Sequence, residues 1–543
     1  MSVALQQPTE IEAKFAVADP SVLDKLARER TAVAGYRLGT VTRKVVHDLY
    51  LDTADFRLLR HGYQLRVRAG ADGSIATLKA RGAGNEVGIY HRLEIEEALA
   101  GESLPGAVGD LPSSLAEALV DVVGSRGELT PICAIEQTRR VREVSPEAPG
   151  RTRRSVPVLG VLSLDEMRIR QSWDGAILAR AYEIEIELAP RGDAAELHGL
   201  ADRFLGAFDL IPSTESKLER ALAIISRHPA TAPENWQGVQ ASMHMAEACR
   251  IIWQEQFMQM LLCEAGVRFA SDPEYVHDAR VAIRRVRAAA RIYEGYFKTK
   301  ATRRYLKRLR RTARLLGAVR DLDVAIGKLQ GYRQKNRRKL TGDLQATLDE
   351  WLAKRAAAHQ KLVVWLDSPK YAAFVADFVH FCRTPGAGIV HFEPRPGDEV
   401  TPFQVRHVMP TMLLSNFERV RSFETWFEQA EPVPVETLHR LRIACKYLRY
   451  NLEFVANLLG PQAGEIIESL RNLQDDLGDL NDAAVSKQLL AAGEGADGQP
   501  TVTSYERTQD RIIEKLRRQM RADFVRFIAK ENRARLLAAI SNI

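Results

Sequence analysis

The chain has 543 residues, of which 45% are hydrophobic and 27% charged, with a formal net charge of +7. These proportions describe a globular protein of roughly two to four domains and exclude a disordered, collagen-like or disulfide-stapled chain. Five scattered cysteines (Cys133, Cys249, Cys263, Cys382, Cys445) form no CxxC and read as ordinary buried thiols in a reducing, cytoplasmic setting. No signal peptide is read ahead of Glu10. The most apolar run, residues 251–270, is broken by Glu255, Glu264 and Arg268, so no membrane partner is expected.

The charge is unevenly placed. Residues 1–228 hold 29 Lys/Arg against 33 Asp/Glu, whereas residues 229–543 hold 48 against 37. An acid-rich first half is thus joined to a basic second half, for which a polyanion is the natural partner.

In chain order, Glu10 to Phe15 alternates as a strand, with Glu10, Glu12 and Lys14 on one face and Ile11, Ala13 and Phe15 on the other. An amphipathic helix follows over about Pro20–Ala34, then a strand over Val45–Thr53. Tyr63–Ala69 and Ile75–Ala80 read as a hairpin about Gly70-Ala71-Asp72-Gly73, carrying Arg66, Arg68 and Lys79. Arg81–Gly88 is a glycine-containing loop; no βαβ unit surrounds it, so it is not a dinucleotide fingerprint. A strand holding Arg92, Glu94 and Glu96 comes next, then a helix over Leu115–Gly124. Strands resume over Ile135–Val144, with Arg139, Arg140 and Arg142, then Val158–Ile169, with Asp165, and Ala181–Ala189, with Glu183, Glu185 and Glu187. A helix over Ala194–Phe204 and the pair Ser216-Lys217 end this half. Many short strands with few helices between them predict an antiparallel barrel with small helices outside it.

Solvent-facing positions do not need charges sorted by sign from strand to strand; strands lining one enclosed space do. Burying such a set unpaired is penalised by several kcal/mol per charge. Arginine and lysine suit phosphate oxygens, while clustered carboxylates tolerate a phosphate only through a divalent cation. The set therefore fits a polyphosphate with metal.

Glu10-x-Glu12-x-Lys14, followed in order by Arg66-x-Arg68, Thr77-Leu78-Lys79, Arg92-x-Glu94-x-Glu96, Arg139, Asp165, Glu185-x-Glu187 and Ser216-Lys217, resembles the CYTH or triphosphate tunnel metalloenzyme family over about residues 8–222. The resemblance implies an eight-stranded antiparallel β-barrel forming a tunnel. It implies that Lys14, Arg66, Arg68, Lys79, Arg92, Arg139 and Lys217 grip a triphosphate. Glu10, Glu12, Glu94, Glu96, Asp165, Glu185 and Glu187 would hold two Mg²⁺ or Mn²⁺ ions or position water, and Glu10, Glu12, Lys14, Glu185 and Glu187 would carry the catalysis. Two matches are loose. Gln137 stands where many members have lysine, so Arg140 or Arg142 could replace Arg139 according to strand register. Which two of Glu183, Glu185 and Glu187 matter most stays open.

Residues 226–236 read as a Pro-containing linker. Beyond it helical periodicity takes over, interrupted by Pro/Gly segments over Thr384–Pro402 and Gly493–Thr501. An internal repeat is present: His277, Arg280, Arg284 and Arg287 recur as His439, Arg442, Lys446 and Arg449, and Arg320-Asp321-Leu322-Asp323 parallels Gly478-Asp479-Leu480-Asn481. At 100° per residue each basic set forms one helix stripe. Between Arg280 and Arg314 fourteen Lys/Arg, among them Arg304, Arg308 and Arg311, face the single acid Glu294. Asp475-Asp476-Leu477-Gly478-Asp479 also matches a DDxxD metal motif, but the first repeat lacks it. This half resembles the CHAD domain over about 237–535, which implies two four-helix bundles binding long-chain polyphosphate.

The sequence thus predicts an α+β multidomain protein: a tunnel domain over 1–225, a linker over 226–236 and a helical polyphosphate-binding domain over 237–543. The expected activity is metal-dependent hydrolysis of inorganic tripolyphosphate to pyrophosphate and phosphate, in the cytoplasm, with polyphosphate granules as an associated location. Rival readings are a nucleoside or thiamine triphosphatase, ATP cyclisation, a granule-targeting polyphosphate binder without catalysis, and nucleic-acid binding. The last is disfavoured because aromatics for base stacking are sparse among the basic residues.

Overall fold

A computed structural model of the protein describes residues 9–543 apart from 30–34, 71–72, 81–82, 85–88, 100–102, 126, 148–156, 191–193, 214–215, 228–237, 270–272, 337–344, 392–399, 430–432 and 492–499. The chain divides into two compact units, Met1–Thr231 and Ala232–Ile543.

The first unit is built on strands β1 (Thr9–Val17), β2 (Tyr36–Leu38), β3 (Thr42–Asp52), β4 (Tyr63–Gly70), β5 (Gly73–Ala80), β6 (Ala83–Gly84), β7 (Ile89–Ala98), β8 (Thr130–Pro146), β9 (Gly160–Arg170), β10 (Ala179–Leu188) and β11 (Leu210–Pro212). Its helices are α1 (Ser21–Arg28), α2 (Arg57–Arg60), α3 (Ser113–Val123), α4 (Ala194–Ala207) and α5 (Lys217–Arg227). The strands make one antiparallel sheet ordered β11-β1-β10-β9-β8-β3-β4-β5-β7-β6, with β2 against β8. β1 pairs on one side with β10, Glu12 opposite Glu187, and on the other with β7, Glu10 opposite Arg92. The sheet has 11 strands rather than the eight expected; β2, β6 and β11 are the additions, each two or three residues long. The hairpin between β4 and β5 pairs Gly70 with Gly73, and Gly73 sits at φ +121°, a backbone region closed to most other residues.

The amphipathicity of the sheet is turned inside out. Ala13 and Phe15 of β1 and Ile184 and Ile186 of β10 pack outward against Leu23 and Leu26 of α1 and Leu197, Leu200 and Phe204 of α4. Leu65, Val67, Ala76 and Leu78 pack outward against Leu115, Leu119 and Val123 of α3. Phe15 and Phe204 are fully buried, and truncating either to alanine costs about 3–5 kcal/mol. The alternate positions face inward. On β3 these are Lys44, Val46, Asp48 and Tyr50, standing opposite Arg139, Gln137, Ile135 and Cys133 of β8. β9 continues the same rows with Asp165, Met167 and Ile169. Cys133, Ile135, Met167 and Ile169 are all buried, so one end of the interior is filled with apolar side chains and the rest is charged.

The second unit is helical: α6 (Met245–Phe269), α7 (Pro273–Ile292), α8 (Thr299–Asn336), α9 (Gln345–Leu366), α10 (Pro369–Arg383), α11 (Val405–Arg421), α12 (Glu424–Gln429), α13 (Val435–Phe454), α14 (Gln462–Ala491), α15 (Pro500–Ile528) and α16 (Lys530–Ile540). The packing series α6–α7–α8–α9 recurs as α11–α13–α14–α15. The repeated sequence motifs fall on matching members of the two series, His277 on α7 and His439 on α13, Arg320–Asp323 on α8 and Gly478–Asn481 on α14. α7 touches α13 and α8 touches α14, so the duplicated helices meet one another. Among the described residues no helix is long and apolar enough to cross a membrane.

The expected helix over Pro20–Ala34 ends at Arg28, and residues 30–34 lie outside the described residues. Most of the linker, most of Gly493–Thr501, residues 392–399 of the Thr384–Pro402 segment, and the Arg81–Gly88 loop other than β6 lie outside them as well.

Candidate functional site

The inward faces enclose a cavity of about 250 Å³. Among the described residues seven basic side chains line it (Lys14, Lys44, Arg66, Arg68, Lys79, Arg139 and Lys217), with five carboxylates (Glu12, Glu94, Glu96, Glu185 and Glu187) and the polar Tyr50, Gln64, Ser163 and Ser216. Every sequence-predicted residue of this site with a described side chain therefore faces the cavity, except Asp165. Glu10 and Arg92 stand opposite each other on β1 and β7; their side chains lie outside the described residues.

The charges form an alternating lattice. Lys14 Nζ lies 3.2 Å from Glu12 and 3.0 Å from Glu185. Lys79 is 2.9 Å from Glu94, and Arg66 is 3.2 Å from Glu96. Arg139 reaches Asp165 at 2.6 Å and Glu185 at 2.8 Å, and Lys217 makes the same two contacts at 2.6 and 2.8 Å. Strand alternation explains the convergence, because Lys14 stands opposite Glu185, Arg139 opposite Asp165 and Lys79 opposite Glu94 in the ladders.

Two acids lie behind the wall. Asp48 is fully buried, accepts from Arg68 at 2.7 and 3.0 Å, and takes a further hydrogen bond from the Gln137 amide. Burial raises its carboxyl, but Arg66, Arg68 and Lys217 outweigh that and hold it below its ordinary value. Asp165 is also fully buried, and its two oxygens accept from Arg139 and Lys217. It was expected among the metal ligands; here it is enclosed by the two cations it holds, because β9 sets it beneath the Arg139 guanidinium.

The arginine choice resolves by strand parity and the glutamate choice by depth, since Glu183, Glu185 and Glu187 share one face of β10. Arg139 faces the cavity. Arg140 points the other way to Asp24 at 2.6 Å, and Arg142 donates to the carbonyls of Leu26, Leu38 and Gly39. Glu185 and Glu187 line the cavity, whereas Glu183 is fully buried against Arg220 at 3.2 Å. Burial and the neighbouring Glu185 charge push the Glu183 carboxyl up. Glu185 itself goes down: burial opposes ionisation, but Lys217, Lys14 and Arg139 together hold it well below the usual carboxylate range. Lys44, Tyr50, Gln64, Ser163 and Asp48 escaped the sequence reading. The signal was present for all five, since Lys44, Asp48 and Tyr50 share the inward parity of β3, Gln64 that of Arg66 on β4, and Ser163 that of Asp165 on β9.

In the helical unit a groove of about 580 Å³ is lined by Arg284, Arg287 and Arg291 of α7, Arg310 of α8, and Lys446, Tyr447 and Tyr450 of α13, with Glu294 as its acid. The Arg284, Arg285 and Arg449 guanidinium groups lie 5.7–5.8 Å from the Tyr450 ring centre. The buried Nε groups of Arg284, Arg285, Arg442 and Arg449 find no hydrogen-bond acceptor among the described residues. Burial, then the Arg442, Arg284, Arg280 and Arg449 charges, push the Lys446 ammonium down to about 6. The other expected residues are placed elsewhere. Arg280 pairs with Asp321 at 3.2 Å. Arg308 and Arg311 lie over the Trp365 ring, and Arg304 lies over Tyr305, so these three sit on a different face of α8 from Arg310. His277 groups with Glu274 and Asp278, their ligating atoms within 4.8 Å of one another. His439 does not line the groove.

The carboxylates of the first cavity suit a hard divalent cation. Five line it, they offer only oxygen donors, and the cations beside them suit phosphate oxygens.

Comparison with known proteins agrees with this layout. The CYTH domain model matches residues 8–222 and the CHAD domain model matches residues 251–491. No curated protein matches the chain. Similar solved structures include an adenylyl cyclase candidate from Hippeastrum described with a dominant triphosphatase activity, at 24% identity over 39% of this chain and 95% of that one, TM-score 0.28. Another is the CHAD domain of the plant Ricinus communis, at 22% identity over 57% of this chain and 98% of that one, TM-score 0.41. A third is PptA from Streptomyces chartreusis, at 15% identity over 54% and 99%, TM-score 0.35. With its sign-sorted cavity in the first match and its duplicated basic helices in the second, the chain is a CYTH–CHAD protein.

Proposed function

We propose that the chain is a metal-dependent inorganic triphosphatase that hydrolyses tripolyphosphate to pyrophosphate and phosphate, and that its helical unit binds long-chain polyphosphate. The observation that carries this reading is the cavity in which seven cations and five carboxylates interleave. A phosphate chain needs the first set, and the divalent ions that accompany it need the second. We read the pairing of β1 with both β10 and β7 as closing eight strands into the tunnel. The proposed domain limits are 1–225 for the tunnel, 226–236 for the linker and 237–543 for two four-helix bundles.

Lys14, Arg66, Arg68, Lys79, Arg139 and Lys217, with Arg92 by family likeness, bind and orient the phosphoryl groups. Glu12, Glu94, Glu96, Glu185 and Glu187, with Glu10 by family likeness, would hold Mg²⁺ or Mn²⁺, two ions in all. Such ions supply neutralisation of phosphoryl charge and a lowered pKa for water. Asp165 and Asp48 hold Arg139, Lys217 and Arg68 in place, so the donors are set before substrate arrives and little reorganisation is needed at reaction. Of the described lining residues only Tyr50 is aromatic, and it is buried. That supports an inorganic substrate over a nucleotide, because no exposed aromatic side chain among the described lining residues is available to stack on a base.

The test is phosphate release by the full chain from tripolyphosphate, ATP and thiamine triphosphate, with Mg²⁺ or Mn²⁺ and with chelator. The reading expects metal-dependent release with the highest kcat/KM on tripolyphosphate. Release that ignores chelator, or a higher kcat/KM on a nucleotide, overturns it. In cells the protein is placed in the cytoplasm, with polyphosphate granules as the associated location.

A further inference from the structure

Six of the seven cations lining the cavity have a carboxylate within 4.0 Å: Lys14, Arg66, Arg68, Lys79, Arg139 and Lys217. Lys44 has no ion pair or hydrogen bond among the described residues. It projects from β3 directly opposite Arg139 of β8. It is the one exposed member of the seven, whereas Lys14 and Lys217 are buried. Burial, then Arg139 and Arg68, push its ammonium down, with Asp165 and Glu187 opposing. Lys44 therefore stands in the repulsive field of two wall arginines without an acid of its own, and a bound anion would relieve that repulsion. A phosphate reaching the other six must share them with the carboxylates already there. Lys44 can engage one with no prior contact to break.

We propose that Lys44 is a substrate-contacting, specificity-determining residue at the cavity rim, which receives the outermost phosphoryl group of a chain of three. This inference rests on the triphosphatase reading above. In this reading the inner phosphoryl groups sit against the buried Lys14 and Lys217, and the exposed Lys44 takes the third, which a chain of two lacks. The residue thus measures length, strengthening capture of the substrate over the pyrophosphate product.

The experiment compares the full-length wild type with Lys44→Gln and Lys44→Arg in phosphate release from tripolyphosphate, with pyrophosphate as inhibitor and thermal melting as a folding check. For Lys44→Gln the expected result is a KM raised about ten-fold, the worth of one charge-assisted phosphate contact. Its kcat and pyrophosphate inhibition constant should stay within about two-fold of wild type, and Lys44→Arg should restore KM. An unchanged KM with the wild type active overturns the inference and leaves the function standing. Equal weakening of tripolyphosphate and pyrophosphate overturns the assignment to the outermost group. A wild type inactive on tripolyphosphate removes the function and this inference together.

Discussion

The Lys217 ammonium lies 2.6 Å from Asp165, a carboxylate with no exposed surface that is held equally closely by Arg139. One buried acid thus aims two cations, from α5 and β8, at the same cavity. Removing one partner of a buried ion pair strands the others in low dielectric.

Asp165→Asn is therefore expected to lower stability by about 3–5 kcal/mol, read by urea denaturation. Glu187→Gln, which changes an exposed carboxylate of the same cavity, should leave stability within about 0.5 kcal/mol while reducing phosphate release. Equal stability losses in the two variants would contradict the division between a holding acid and a lining acid.

Chelation should abolish phosphate release, and Mg²⁺ or Mn²⁺ should restore it without a change in circular dichroism, because the apolar layers lie outside the cavity. Glu94→Gln with Glu96→Gln should cut kcat/KM at saturating metal by about a hundred-fold or more. The metal concentration for half-maximal activity should rise in the same variant. A fall in activity with an unchanged metal requirement would argue that these acids serve only to pair Lys79 and Arg66.

Lys446 offers a pH-dependent readout. Its pKa of about 6 lies below the ordinary lysine value, so the free protein holds it neutral at pH 7.5. A bound polyanion raises that pKa and draws in a proton. Polyphosphate affinity should therefore rise as pH falls from 8 towards 6, and Lys446→Met should flatten the slope. The sign for folding is opposite. The unfolded chain binds this proton below about pH 10.5 and the native state does not until about pH 6, so Lys446 lowers stability progressively across that window. Lys446→Met should remove this loss, read as a higher melting temperature at pH 7.5 than wild type.

The groove makes a positional prediction as well. Arg284→Glu with Arg287→Glu reverses two lining charges and should weaken long-chain polyphosphate binding by at least about ten-fold, with a shallower salt dependence. Arg308→Glu with Arg311→Glu, on the Trp365 face, should change affinity by less than about three-fold in 0.15 M salt. Equal effects would show that net charge alone, rather than this groove, holds the polyanion.

Much of the cavity site was legible because strand parity is a rigid rule. Once Glu12 and Lys14 are placed on one face, so are Arg66 with Arg68 and Glu185 with Glu187, and only the direction of that face is left open. Parity also separates Arg139 from Arg140 and Arg142. Parity does not give depth. Asp165 and Glu185 both face inward, yet one is roofed by guanidinium and the other meets the cavity, a difference set by side-chain packing across three strands. Lys44 was passed over because the strand reading began at Val45, one residue too late. In the helices the rule is weaker. The seven Lys/Arg of residues 303–314 share one broad face of α8, an arc of about 160°, so the stripe alone does not separate Arg310 in the groove from Arg308 and Arg311 on Trp365. The contact of α7 with α13 is what selects the face.

The outward placement of both hydrophobic clusters inverts the usual map of mutational tolerance. In an ordinary barrel a polar substitution pointing inward wrecks folding and one pointing outward is harmless. Here Ala13, Leu65 and Ile184 are the outward positions that cannot accept a charge, while single inward positions such as Lys44 or Glu187 can be rewritten with little threat to the scaffold. Selection could retune what this chamber recognises by small steps, without first having to secure a more stable fold.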